Sequence, residues 1–103
     1  MAARPALSWQ DLRGARAGVW GLGVEGAANV RKLVSLGAEP VLADDRPAGP
    51  GPDGRPVLAT GEGGLEALAG CEVVIKSPGI SRYRPEVAEL AGRGIPVTGG
   101  LGL

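Results

Sequence analysis

Three glycines, Gly21, Gly23 and Gly26, stand at G-x-G-x-x-G spacing between a short apolar run ending in Val19 and Trp20 and a segment of helical periodicity. This spacing is the form of a strand-to-helix turn that opens a βαβ unit and receives a phosphate-bearing nucleotide. Gly21 permits the tight turn, Gly23 the approach of a phosphate oxygen to backbone, and Gly26 the close packing of helix on sheet. The helix N-terminus adds free N–H groups and a partial positive charge for an anion. A bare connection from strand to helix satisfies the same spacing, so the turn needs partners elsewhere in the chain. A carboxylate aimed at the same anion would repel it, so Glu25 reads as solvent-facing or as an acceptor for the helix N-terminus.

Beyond Gly26, Ala27, Val30, Leu33 and Val34 recur at three and four positions, which predicts one buried helix face with Arg31 and Lys32 outward and Gly37 as the stop. Residues 41–43 of EPVLADDR are apolar in succession, as in a strand covered on both sides. VLAT predicts a third short strand, and GGLEALAG a brief helix with Leu65 and Leu68 inward. CEVVIK is the best strand pattern in the chain and runs into the turn SPGI. Pro85 suits a first helical position, Val87, Leu90 and Ala91 predict the inner face of that helix, Gly94 ends it, and IPVTGG gives a final strand. Ser8 and Asp11 predict a capped turn that lays Trp9 and Leu12 on the domain, and residues 46–56, RPAGPGPDGRP, read as a loop. Strand and helix patterns alternating in this way predict an α/β fold, a Rossmann-like open parallel sheet of about five strands with helices on both faces.

A chain of 103 residues fits one domain, residues 1–103, and the absence of Phe requires a core of small and branched aliphatics. Lys+Arg and Asp+Glu balance at 11 each, so no positive field draws the chain to nucleic acid or an anionic membrane. No signal-peptide core is present and no apolar run reaches the roughly 18 residues of a membrane span, so the expectation is a cytoplasmic protein with no nucleic-acid or membrane partner. One cysteine, Cys71, and no histidine rule out an internal disulfide, a thiolate metal site and a His-based triad. No metal site is expected, and Cys71 reads as a buried structural thiol.

Asp44 and Asp45 stand about twenty residues beyond the glycines, where the dinucleotide fingerprint places an acid for ribose hydroxyls. Which of the pair points over the crevice is open. Arg46 reaches a phosphate or stacks on a base, or faces solvent. Ser77, Pro78 and Gly79 follow the long apolar strand at the ligand side of an open sheet, where a glycine after proline permits positive φ and leaves N–H groups for a phosphate or base, with Lys76 beside it. NAD(P), FAD and a UDP-linked substrate all fit such a site.

The ordered set VWGLGVEGAANV, VLADDR, VVIKSPGI and GIPVTGG resembles the N-terminal domain of the Mur ligases, in particular those that join glutamate to UDP-N-acetylmuramoyl-L-alanine in peptidoglycan synthesis. The similarity runs over residues 19–99. It implies that Gly21, Gly23, Val24, Glu25 and Gly26 lie at the diphosphate of UDP-N-acetylmuramoyl-L-alanine. Asp44, Asp45 and Arg46 would surround uracil and ribose, and Ser77, Pro78 and Gly79 would close the other side of the base. Glu25 replaces the small hydroxyl residue usual in that glycine loop. W-G-x-G-x-E-G together with KSPGISRYRPE looks more like the less common branch that adds L-glutamate. The resemblance also implies ATP and Mg2+ for a full-length ligase, whose acyl-phosphate chemistry needs a P-loop. G-x-x-x-x-G-K-S/T occurs nowhere in these 103 residues. The expectation is therefore a fragment that has no catalytic residues or cofactor of its own and binds substrate beside missing ATPase and C-terminal domains. The alternative from a different class is an NAD(P)-binding regulatory module.

Overall fold

The computed structural model describes residues 14–47 and 49–99, except the side chains of Val24 and Glu25. The turn expected around Ser8 and Asp11, with Trp9 and Leu12, lies outside the described residues. Among the described residues five strands and three α-helices follow in the order β1 (Arg16–Trp20), α1 (Val24–Ser35), β2 (Glu39–Asp44), β3 (Val57–Ala59), α2 (Leu65–Ala69), β4 (Val73–Lys76), α3 (Pro85–Gly92) and β5 (Val97–Thr98). The sheet order is β3-β2-β1-β4-β5 and every pairing is parallel, as the alternating patterns predict. The chain winds one way from β1 through β3, then crosses to the other side of β1 for β4. This places a topological switch point between β1 and β4, and the crevice of such a sheet opens at the carboxyl ends of its strands.

Strand alternation divides the core. Ala17 and Val19 of β1, Leu42 of β2, and Val73 and Ile75 of β4 lie with Val30 and Leu33 of α1. On the opposite face Trp20, Ala43 and Val74 pack with Leu68 of α2, Leu90 of α3, and Ile80 and Ile95. Gly18 makes room there, since a methyl group at that position would lie 2.6 Å from Leu68 Cδ2.

Two residues expected to face inward do not. Val34 is 36% exposed and Ala91 is exposed. Both precede a Schellman-type helix end, in which Gly37 (φ 77°) and Gly94 (φ 81°) turn left-handed. The Gly37 and Ala38 N–H groups donate to the Val34 and Leu33 carbonyls, and the Gly94 and Ile95 N–H groups to those of Ala91 and Leu90, all at 3.0 Å. This geometry brings the residue after the glycine back beneath the helix, so buried Ala38 and Ile95 take the inward places.

Element boundaries shift as well. β2 extends to Glu39 and Asp44, and β4 starts at Val73, leaving Cys71 in the turn after α2, buried, with Sγ 3.5 Å from the Ala67 carbonyl. Burial pushes the Cys71 thiol up, so it stays neutral and inert at neutral pH. β3 ends at Ala59, and the Thr60 hydroxyl just beyond it accepts the indole N–H of Trp20 at 3.0 Å, satisfying the polar atom of the largest buried side chain.

Candidate functional site

The switch point is built by two turns in contact. After Trp20, Gly21 (φ 91°) donates its N–H to the Ala43 carbonyl at 2.8 Å, and the Ser77 N–H donates to the Trp20 carbonyl at 2.9 Å. The side chains of Ser77 and Ile80 leave no room for one at Gly21, where a methyl group would collide with Ser77 Oγ. At Gly26 a methyl group would collide with the Gly21 carbonyl oxygen, a close approach of helix to turn that only glycine allows. Gly23 differs: among the described residues, nothing lies within 4 Å of a methyl group built there. Gly23 is the N-cap of α1 and offers no side chain to the first-turn N–H groups, which point back toward the turn. Val24 and Glu25 form the first turn of α1; their side chains lie outside the described residues.

Asp44 and Asp45 part company. The Asp44 carboxylate accepts the Leu22 N–H at 2.7 Å through one oxygen and the Arg46 N–H at 3.1 Å through the other, strapping the glycine turn to the end of β2. Asp45 points instead to Arg84, the residue before Pro85, and forms an ion pair with its guanidinium. Arg84 also donates from Nε and Nη2 to the two oxygens of Glu86, at 3.2 and 3.0 Å, and its guanidinium carbon lies 5.0 Å from the centre of the Trp20 ring. The Arg84 hydrogen bond, with a smaller contribution from the Thr60 hydroxyl, holds the Asp45 carboxyl below its usual range. Arg84 likewise lowers Glu86, while Asp45 and Glu86 raise the already high pKa of Arg84.

Arg46 is exposed and borders a cavity of about 220 Å³. Leu22, Val57 and the prolines Pro47, Pro50 and Pro52 give this cavity an apolar lining; Asp44 and Arg46 give it polar atoms. A flat, partly polar ring suits such a lining. The 77–79 turn is closed by the Ile80 N–H donating to the Ser77 carbonyl at 3.0 Å, with Pro78 and Gly79 exposed. Gly79 does not use the positive φ that a glycine permits at this place.

Sequence reasoning missed Leu22, Thr60, Trp20 and Arg84 as parts of the site and treated the proline-rich loop as inert. The loop carried one usable signal, its position directly after Arg46 at the end of β2. Among the described residues no group of three acidic, cysteine or histidine side chains could hold a metal ion, and no helix is long and apolar enough to cross a membrane.

A doubly wound parallel sheet with a glycine turn and an anchoring acid at its switch point defines a Rossmann-like domain. Residues 15–99 match the family described as Mur ligase MurD-like, N-terminal domain, and the chain belongs to that family. It is 42% identical over 101 residues to a UDP-N-acetylmuramoyl-L-alanine–L-glutamate ligase of a Micromonospora species, which covers 90% of this chain and 22% of that relative. It is 41% identical over 100 residues to the ligase of the same name from Salinispora tropica, with the same coverage. A UDP-N-acetylmuramoylalanine–D-glutamate ligase of Pseudoalteromonas translucida is 39% identical over 79% of this chain and 20% of its own length. The crystal structure of the TT0316 protein from Thermus thermophilus superposes with a TM-score of 0.53 at 26% identity, covering 81% of this chain and 24% of that one. The chain thus spans about a fifth of the length of the curated relatives it matches.

Proposed function

We propose that residues 1–103 act as the substrate-binding domain of a cytoplasmic, ATP-dependent ligase of peptidoglycan synthesis, and that the domain holds the UDP end of UDP-N-acetylmuramoyl-L-alanine. The observation that carries this reading is the juxtaposition of an open glycine turn at the head of α1 with the Arg46 cavity, both strapped together by Asp44. In this reading the diphosphate meets the N–H groups after Gly23, the uracil enters the cavity beside Arg46, and the 77–79 turn bounds the opposite side. Asp44 shapes the turn through the two N–H groups it accepts, and its remaining lone pairs are left for the uracil or ribose.

ATP and Mg2+ belong to further domains of the ligase, where the precursor's carboxylate becomes an acyl phosphate and the glutamate amine displaces phosphate. Higher identity to the two L-glutamate ligases than to the D-glutamate ligase supports the L-glutamate branch. The test is an NMR titration of backbone amides with UDP-N-acetylmuramoyl-L-alanine and, separately, NAD+. Saturable shifts at Gly23, Arg46 and Gly79 with the UDP compound alone are expected. Saturation with NAD+ alone overturns the reading, and a folded sample that responds to neither removes substrate binding from this chain.

A further inference from the structure

The ends of β1, β2 and β3 and the start of α3 meet in one closed ring of side chains. Trp20, at the end of β1, donates its indole N–H to Thr60, just past β3. A hydroxyl that accepts one hydrogen bond still has its own proton to share, and the Thr60 hydroxyl stands close enough to Asp45, just past β2, to help hold that carboxyl low. Asp45 pairs with Arg84 at the head of α3, and the Arg84 guanidinium lies over the Trp20 ring, which closes the ring. Glu86 grips the remaining side of the same guanidinium with both oxygens.

Charge decides what this ring can do. Arg84 carries one positive charge against the two negative charges of Asp45 and Glu86, so the cluster is net negative and repels a phosphate rather than receiving it. Planar bidentate pairing and stacking are the uses to which a guanidinium is best suited, and here both are taken up inside the protein. Position decides the rest. Asp45 stands between Asp44 and Arg46, and Arg84 closes the connection that begins with the 77–79 turn. Joining Asp45 to Arg84 therefore ties one wall of the crevice to the other.

We propose that Arg84 is a positioning residue: by clasping Asp45 over Trp20 it fixes the spacing between Arg46 and the 77–79 turn, and so sets affinity for the nucleoside part of the ligand without touching it. This rests on the UDP reading above. Preorganised walls spare the ligand the cost of ordering them, so loss of the clasp weakens every ligand that fills the gap by the same factor.

The experiment measures uridine and UDP affinities of the 103-residue chain by NMR titration for the wild type, Arg84→Gln, Arg84→Lys, Asp45→Asn and the Arg84→Gln/Asp45→Asn pair. The Trp20 indole N–H signal is followed in the absence of ligand. Each glutamine or asparagine variant is expected to weaken uridine and UDP equally, by about tenfold, with the double variant no worse than either single one, the signature of residues acting as a unit. Arg84→Lys, which keeps the charge but not the fork, recovers part of the loss. An Arg84→Gln loss for UDP but not uridine would make Arg84 a phosphate contact and overturn the proposal, as would single losses that multiply in the double variant or affinities that do not change. An indole signal unmoved by either substitution shows that the clasp is absent in solution, whatever UDP does. An indole signal that moves in a chain whose wild type takes up neither ligand brings down the UDP reading, and the clasp loses its assigned role with it.

Discussion

One face of the sheet lies under a single 12-residue helix and the other under two short ones, and the two faces solve the packing problem differently. The α1 face is aliphatic throughout: Ala17, Val19, Val30, Leu33, Leu42, Val73 and Ile75 bury no polar side-chain atom. The opposite face is built around Trp20, fully buried, whose indole N–H must find an acceptor and finds Thr60. Thr60 leads on to Asp45 and Arg84 at the crevice. Packing on the first face reaches the site through apolar contacts alone, by way of Leu22 and Val57, whereas packing on the second reaches it through polar ones.

The largest stability effect is expected on the aliphatic face. Leu33→Ala removes a fully buried side chain between α1 and the sheet and should cost about 2–5 kcal/mol, a large share of the 5–15 kcal/mol typical of a domain. Urea denaturation measures the loss, and nucleotide affinity of the remaining folded protein should hold. Trp20→Phe should cost less, about 1–3 kcal/mol for the indole donor taken from buried Thr60, yet lower nucleotide affinity with it. If Leu33→Ala weakened binding as much as Trp20→Phe does, the distinction between the faces would break. Gly23→Ala should change stability little, because the space around it is open, while blocking the approach of a diphosphate; UDP titration against an unchanged melting temperature reads this.

The smallest effect expected is that of pH. Asp45 and Glu86 are held below their ordinary values of 3.8 and 4.5, so their contribution is present above those values and disappears as pH falls through the lowered ones. Arg84 stays charged throughout. The pairs are partly exposed, so solvent screening leaves less than about 1 kcal/mol between roughly pH 5 and 3. Urea midpoints measured across that range should fall less steeply in Asp45→Asn than in the wild type, whereas Val19→Ala, on the aliphatic face, should lower the midpoint equally at every pH.

The sheet and its helices were legible because period-2 and period-3.6 patterns act locally and the glycines mark element ends. The errors at Val34 and Ala91 share one origin: periodicity counted to the last turn without allowing for the reversal at Gly37 and Gly94, which hands the inward place to Ala38 and Ile95. A glycine followed by an apolar residue was the available signal. The glycine turn and the Asp44–Asp45 pair were legible as a place but not as an arrangement. Adjacent residues at a strand end point opposite ways, and only the fold decides that one acid straps Leu22 while the other pairs with an arginine 39 residues on. Arg84 carried no local mark, since a long flexible side chain before Pro85 reads as surface until its partners are known.

The order β3-β2-β1-β4-β5 also governs how the chain comes into being. Parallel neighbours cannot be joined by a hairpin, so each ladder waits for a crossover to be completed. During synthesis β1 can pair with β2 early, but its other edge has no partner until Val73–Lys76 have left the ribosome. Throughout that interval the central strand is half a sheet, with its edge open to other chains. The strand at the centre of the sheet, which ends at the crevice, thus also waits for its second partner while the protein is being made.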